Sequence, residues 1–210
     1  LAPELAIRAD VSSASDVAAA AARARAHFGL VHIIVNNAGV GGDGGPMWQL
    51  TEADWDWTIN VNLRGVTHAI RTLLPPLIDS GEEGHIVNTA SIAGLTSTPF
   101  MGPYTATKHA VVALSECLAK ELELLGTKVG VSVLCPGFVK TQINTSHRNR
   151  PRAAGDGDHA PRPLVIPHRP NHNRHPPAAA DQVQLAIPHL ESRHRLDRTH
   201  LPPEAVMRRA

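Results

Sequence analysis

The chain has one tyrosine, and aromatic residues together make up only 3% of its 210 positions. Its core must therefore be aliphatic, and a phenol in any functional role can only be Tyr104. Cysteine is almost as scarce. Cys117 falls in an expected helix and Cys135 at an expected strand end, so no structural disulfide is implied. Two thiols without a secretory signal point to a reducing, cytoplasmic setting. No apolar stretch approaches the ~20 residues that span a bilayer, so a membrane-crossing helix is not expected. A formal net charge of +1 supplies no general attraction for nucleic acid or membrane, and neither is expected as a partner. The first residue is Leu1, not Met, and the chain opens directly into a structured-looking segment, as the interior of a longer gene product would.

What is present falls into two unlike parts. Residues 1–145 alternate between strand and helix signals. Leu5 to Ala9 reads as a short strand ending at Asp10-Val11, and Ser15 as the cap of an alanine-rich helix reaching Phe28. Val31 to Val35 has the pattern of a strand buried on both faces. A glycine-rich loop from Gly39 to Pro46 follows. Thr51, with Glu52 and Asp54 behind it, opens a helix that runs past Asn62 toward Leu74, where Pro75-Pro76 should disturb it. His85–Thr89 and Val129–Cys135 read as further strands, with a long helix from Tyr104 to Leu125 between them. This alternation implies an α/β fold with a parallel sheet and right-handed crossovers.

Residues 146–210 differ. They hold more than half of the chain's prolines and histidines and no Phe, Trp or Tyr. Such a composition buries too little apolar surface to offset ordering, and irregular or disordered structure is expected, with a helical turn only over Val183–Leu190. A shifted reading frame in a GC-rich gene would yield the same composition. His168, His172 and His175 lie among prolines and asparagines without acidic or thiol partners, so no metal site is expected.

The chemistry concentrates around Tyr104. Lys108 stands one helical turn later, on the same helix face. An ammonium near a phenol favours the ionised phenol, which can then exchange a proton with a carbonyl oxygen. Ser91, thirteen positions earlier at a strand end, could hold that same oxygen. Each has a plainer reading too. A helical tyrosine is commonly a core residue, a serine at a strand end a turn former, and Asp10 a helix N-cap.

In six ordered blocks the chain resembles the short-chain dehydrogenase/reductase family. They are Asp10-Val11, Asn36-Asn37-Ala38-Gly39, Val61-Asn62-Leu63, Ser91-Ile92-Ala93-Gly94, Tyr104 to Lys108 and Pro136-Gly137 to Thr141. The resemblance implies a Rossmann-type doubly wound parallel sheet and an NAD(P)-dependent oxidoreductase acting between an alcohol and a ketone. It implies Asn62, Ser91, Tyr104 and Lys108 as the catalytic set, with Asn60 the competitor for the asparagine role. It implies NAD or NADP held by Asp10, Val11, Asn37, Ala38, Gly39, Tyr104, Lys108, Pro136, Gly137, Val139 and Thr141. Leu95, Pro99, Phe100 and Met101 would line an apolar wall for a small-molecule alcohol or carbonyl substrate. Family members form homodimers or homotetramers through the helices carrying Asn62 and Tyr104, and Val111, Val112, Leu114 and Leu118 are compatible with that.

The chain also departs from the family. The first βαβ unit, with its Thr-Gly-x-x-x-Gly-x-Gly turn, has no match in these residues, nor has the last strand. The residue that selects NAD or NADP is absent with it. A non-catalytic fragment or pseudo-enzyme acting through protein association, and a binding protein with a basic tail, are the alternative readings.

Overall fold

The structure, a computed structural model, describes residues 4–151 and the backbone of Leu185–Ala186. Helix α1 (Ala14–Phe28) is capped by Ser13, whose hydroxyl accepts from the Asp16 N–H, and not by Ser15. Strand β1 spans Ile33–Asn36. Helix α2 (Glu52–Ile59) opens with a reciprocal box. The Asp54 N–H donates to Thr51 Oγ1, and the Thr51 N–H donates to Asp54 Oδ2, which satisfies two otherwise unpaired amides. A π turn (Asn60–Arg64) joins α2 to α3 (Gly65–Ser80). Helix α3 passes through Pro75 and Pro76 without ending. The buried Leu74 and Leu77 around them anchor that stretch to the core, which outweighs the lost amide donors. Strand β2 (Gly84–Thr89), helix α4 (Gly102–Leu124) and strand β3 (Val129–Cys135) complete the main body.

Strands β1, β2 and β3 pair in parallel, with Ile34 beside Ile86 and Ile86 beside Val131. A two-residue strand, β4 (Leu185–Ala186), pairs antiparallel with β3. Extended backbone therefore stands where a helical turn was expected over Val183–Leu190. The expectation of no metal site at His168, His172 and His175 falls outside the described residues, as does the rest of the expected irregular tail beyond 151; its first residues, 146–149, are instead part of a 3-10 segment, Ile143–Asn149, with Ser146 buried. Helices α3 and α4 cover one face of the sheet. Ile34, Ala69, Leu77, Ile86, Leu118 and Val129 form an aliphatic core there, as the lack of aromatics requires. No described helix is long and apolar enough to cross a membrane.

Two further expectations are corrected. Leu5–Ala9 forms no strand and belongs to no ladder, because no described strand lies alongside it and a strand is stabilised by its neighbour. Strand β1 is not buried on both faces. Ile34 points into the core, while Ile33 and Val35 are 68% and 59% exposed. β1 is an edge strand of the described sheet, and α3 and α4 pack against its Ile34 face. Val111, Val112 and Leu118 are buried within the chain's own core and so do not form a free association face.

Candidate active site

The site gathers where β2, α4 and the loop after β1 meet. Lys108 comes from the first third of α4, the helix that starts beside Pro103. Its side chain is 3% exposed. Nζ donates to the Thr89 carbonyl at 2.8 Å and lies 5.6 Å from the centre of the Tyr104 ring. Burial pulls the ammonium down from 10.5 to about 8, while the Cys135 thiol nearby acts in the opposite direction. Burial pushes the Cys135 thiol up, against the Ser91 backbone N–H and Lys108.

Asn62 is placed by the π turn. The wider turn rotates its side chain inward, where it is 1% exposed. Its amide grips one residue of the glycine-rich loop at both ends. Oδ1 accepts from the Val40 N–H at 2.8 Å, and Nδ2 donates to the Val40 carbonyl at 2.9 Å. Nδ2 also reaches Thr107 Oγ1 at 3.3 Å. An asparagine, ill-suited to a helix interior by propensity, is thus accounted for by this clamp. Gly39 sits beside the cluster. A Cβ on it would stand 3.5 Å from both Lys108 Nζ and Asn62 Oδ1, so a glycine keeps the approach to the lysine open.

Ser91 opens a short turn, Ile92–Gly94, and its Oγ accepts from the Ala93 N–H at 3.1 Å. The hydroxyl proton remains available for another acceptor. The turn is pressed against α4 at Lys108. A Cβ on Gly94 would lie 2.7 Å from the Lys108 carbonyl. The turn is also tied to the end of β3 by the Ile92 N–H donating to the Pro136 carbonyl at 2.9 Å. Ser91 and Tyr104 are both buried. Of the expected apolar wall, Leu95 and Pro99 are exposed, with Phe100 and Met101 part-buried. Phe100 has φ 66°, uncommon for a non-glycine residue, and its carbonyl accepts from the Gly45 N–H at 2.9 Å.

The expected cofactor residues fall into three places. Val11, Asn37 and Ala38 line one apolar cleft of about 300 Å³ between α1, β1 and α3, with Ile7, Ala21 and Val35. Asn37 Oδ1 accepts from the Thr89 hydroxyl at 3.3 Å, so Asn37 to Gly39 runs from this cleft to Lys108. Asp10 is exposed, and its carboxylate accepts from the Ser12 N–H and hydroxyl at 2.9 and 2.7 Å. It shapes the turn before α1 but is not the N-cap. Pro136 and Gly137 close β3, while Val139 and Thr141 are exposed beyond it, with Thr141 Oγ1 accepting from the Ile143 N–H. No contact brings either of these two to the Lys108 cluster.

Several supporting residues escaped the sequence reading. The Thr89 carbonyl holds Lys108, and a backbone group carries no sequence signature. Thr107 links Asn62 to the Tyr104 carbonyl. Asn36 Nδ2 donates to Asn88 Oδ1, and Asn88 Nδ2 donates to Ser115 Oγ, tying β1, β2 and α4 together. Buried polar groups must find partners. Polar residues within the apolar runs of β2 and α4 were the available signal.

Comparison with known proteins identifies the family and the fold. The family profile described as short chain dehydrogenase matches residues 3–152. A CLA biosynthesis dehydrogenase/reductase of Lactiplantibacillus plantarum is 35% identical over 72% of this chain and 53% of its own length. A short-chain dehydrogenase/reductase from Burkholderia phymatum, solved in complex with NAD, is 45% identical. It superposes with a TM-score of 0.70 over 75% of this chain and 57% of that one. An alcohol dehydrogenase from Thermococcus sibiricus, solved with 5-hydroxy-NADP, is 31% identical, with a TM-score of 0.59 over 66% and 56% of the two chains. The chain belongs to the short-chain dehydrogenase family, and its sheet and helices are the Rossmann-type arrangement of these neighbours. It spans about half the length of the curated relatives it matches.

Proposed function

We propose that the protein to which these residues belong is an NAD- or NADP-dependent oxidoreductase that interconverts an alcohol and a ketone. The observation that carries this is the meeting of Lys108 and Asn62 at Gly39, with Tyr104 beside the lysine. Lys108 Nζ lies over the Tyr104 ring, and Asn62 Oδ1 stands beside the same glycine. Tyr104 gives a proton to the substrate oxygen in reduction and takes it back in oxidation. Ser91 donates its hydroxyl proton to that oxygen. Lys108, buried and with a lowered proton affinity, faces the phenol and resupplies the proton, with Asn62 on its path. Leu95, exposed beside the Ser91 turn, and Met47, exposed next to Gly102 at the start of α4, favour an apolar substrate.

The nicotinamide supplies or accepts the hydride when it is bound. The residues fit its reactive half, because Gly39 leaves room beside Lys108. Asp10, Val11, Asn37, Ala38, Pro136, Gly137, Val139 and Thr141 are the further proposed contacts. The pyrophosphate half fits less well. No described helix offers a glycine-rich N-terminus of the kind that holds phosphates. The 210-residue chain on its own should therefore bind dinucleotide weakly.

The test uses one preparation. Nicotinamide fluorescence is titrated, and turnover of secondary alcohols is then followed at saturating NAD or NADP for the chain and its Tyr104→Phe variant. Weak binding and a loss of about 10²–10⁴-fold in turnover are expected. Micromolar affinity would overturn the statement about the pyrophosphate half, and unchanged turnover would remove Tyr104 from the mechanism.

A further inference from the structure

An ion-pair cluster outside the site lies at the far end of the described chain. Beyond β3, residues 138–142 are exposed, Phe138 at 91%. Ile143–Asn149 then form a 3-10 segment that turns back onto the glycine-rich loop. The buried Ser146 accepts from the Gly41 N–H at 2.9 Å. Arg150 follows. Its Nη1 pairs with the Asp43 carboxylate in that loop, and its Nη2 meets Asp54 Oδ1 at 2.7 Å in the first turn of α2. The guanidinium carbon lies 5.7 Å from the centre of the Trp57 ring.

Isolated surface ion pairs contribute little, but this one is different in kind. The Arg150 side chain is only 16% exposed and that of Asp54 12%. One planar guanidinium spans two carboxylates and an aromatic face, which an ammonium cannot reproduce. Burial pushes the Asp54 carboxyl up, but hydrogen bonds from the Thr51 backbone, the Thr51 hydroxyl and Arg150 outweigh it and leave the group below the usual carboxylate range. The cluster is also joined to the site. Gly41 is held by Ser146, and its neighbour Val40 is held by Asn62.

We propose that Arg150 is a positioning residue: bridging Asp43 and Asp54 over Trp57, it fastens residues 143–150 as a strap across the glycine-rich loop and so fixes the course of residues 138–142. That stretch, pinned at Pro136 on one side and by the strap on the other, carries Val139 and Thr141. Their assignment to the cofactor rests on the function proposed above, but the strap is a property of the chain and is tested without any cofactor.

The experiment is limited trypsin digestion of the full chain under native conditions, with cleavage after Lys140 timed by mass spectrometry. Lys140 is exposed but tethered on both sides, and a protease cleft needs the flanking residues free as well, so the rate follows the fraction in which the strap is released. Cleavage after Lys128, in the exposed turn before β3, is the internal control. Arg150→Met should raise the rate after Lys140 about tenfold and leave Lys128 unchanged, with Arg150→Lys in between, since an ammonium meets one carboxylate but not both. Asp43→Asn, on the loop, should also raise it and serves if the arginine variants do not fold. A rise of less than about threefold in Arg150→Met, or an equal rise at Lys128, would overturn the proposal. So would full rescue by lysine.

Discussion

Replacing Lys108 by methionine probes the electrostatics of the site with no cofactor present. The ammonium is 3% exposed, and burial lowers its proton affinity from 10.5 to about 8, with Cys135 opposing the shift. The folded value lies below the unfolded one, so between these two pH values the unfolded chain binds more protons than the native one. Stability therefore rises with pH across that window. Below it the lysine is charged in both states, and the cost of burying the charge, about 3 kcal/mol, is fully present. Between neutral pH and about pH 9.5 the chain should regain about 2 kcal/mol from this one group. Urea unfolding followed by tryptophan emission, at both pH values, gives the unfolding free energies of the chain and of Lys108→Met. Methionine has no charge to titrate, and the groups that do not face Lys108, which leaves out only Cys135 among those that shift it, contribute equally to both proteins. The gain with pH should be about 2 kcal/mol larger for the unsubstituted chain. Parallel pH dependences would mean that the ammonium is solvated and that burial does not tune it.

Two other substitutions test how the site is held. Asn62→Ala removes the amide that grips both backbone groups of Val40, and leaving two buried groups unpaired should cost about 3 kcal/mol in urea unfolding. An unchanged midpoint would show that the loop does not depend on the clamp. Gly94→Ala places a methyl 2.7 Å from the Lys108 carbonyl and 3.0 Å from its carbon. Helix backbone does not yield easily, so a loss of about 1–3 kcal/mol is expected. Full retention of stability would show that the Ser91 turn moves freely against α4.

The elements most legible in advance were those whose signals are local. Thr51 and Asp54 announce a helix start because the box that they form involves only residues three apart, and the structure contains it. Val129–Cys135 reads as a strand from its own apolar alternation and is one. The serine at 91 had a plain reading as a turn former, and the close approach of Gly94 to α4 appears only once the helix is packed. Pro75 and Pro76 misled because their local penalty is real, while the contacts of Leu74 and Leu77 that overcome it are long-range. Leu5–Ala9 misled for the opposite reason: it has a strand's pattern but no described neighbour.

The order of residue types alone determined that Tyr104 and Lys108 share a helix face, since one turn of α-helix brings positions four apart together. It also determined the alternation of strand and helix that makes the sheet parallel. Tertiary structure decided the rest. It brought the Thr89 carbonyl, Asn62 and Gly39 to the same ammonium from three separate segments. It removed that ammonium from water and thereby lowered its proton affinity. It also folded Arg150 back onto Asp43 and Asp54. Desolvation and long-range contact depend on what packs around a residue, and neither is written in the residue's own neighbourhood along the chain.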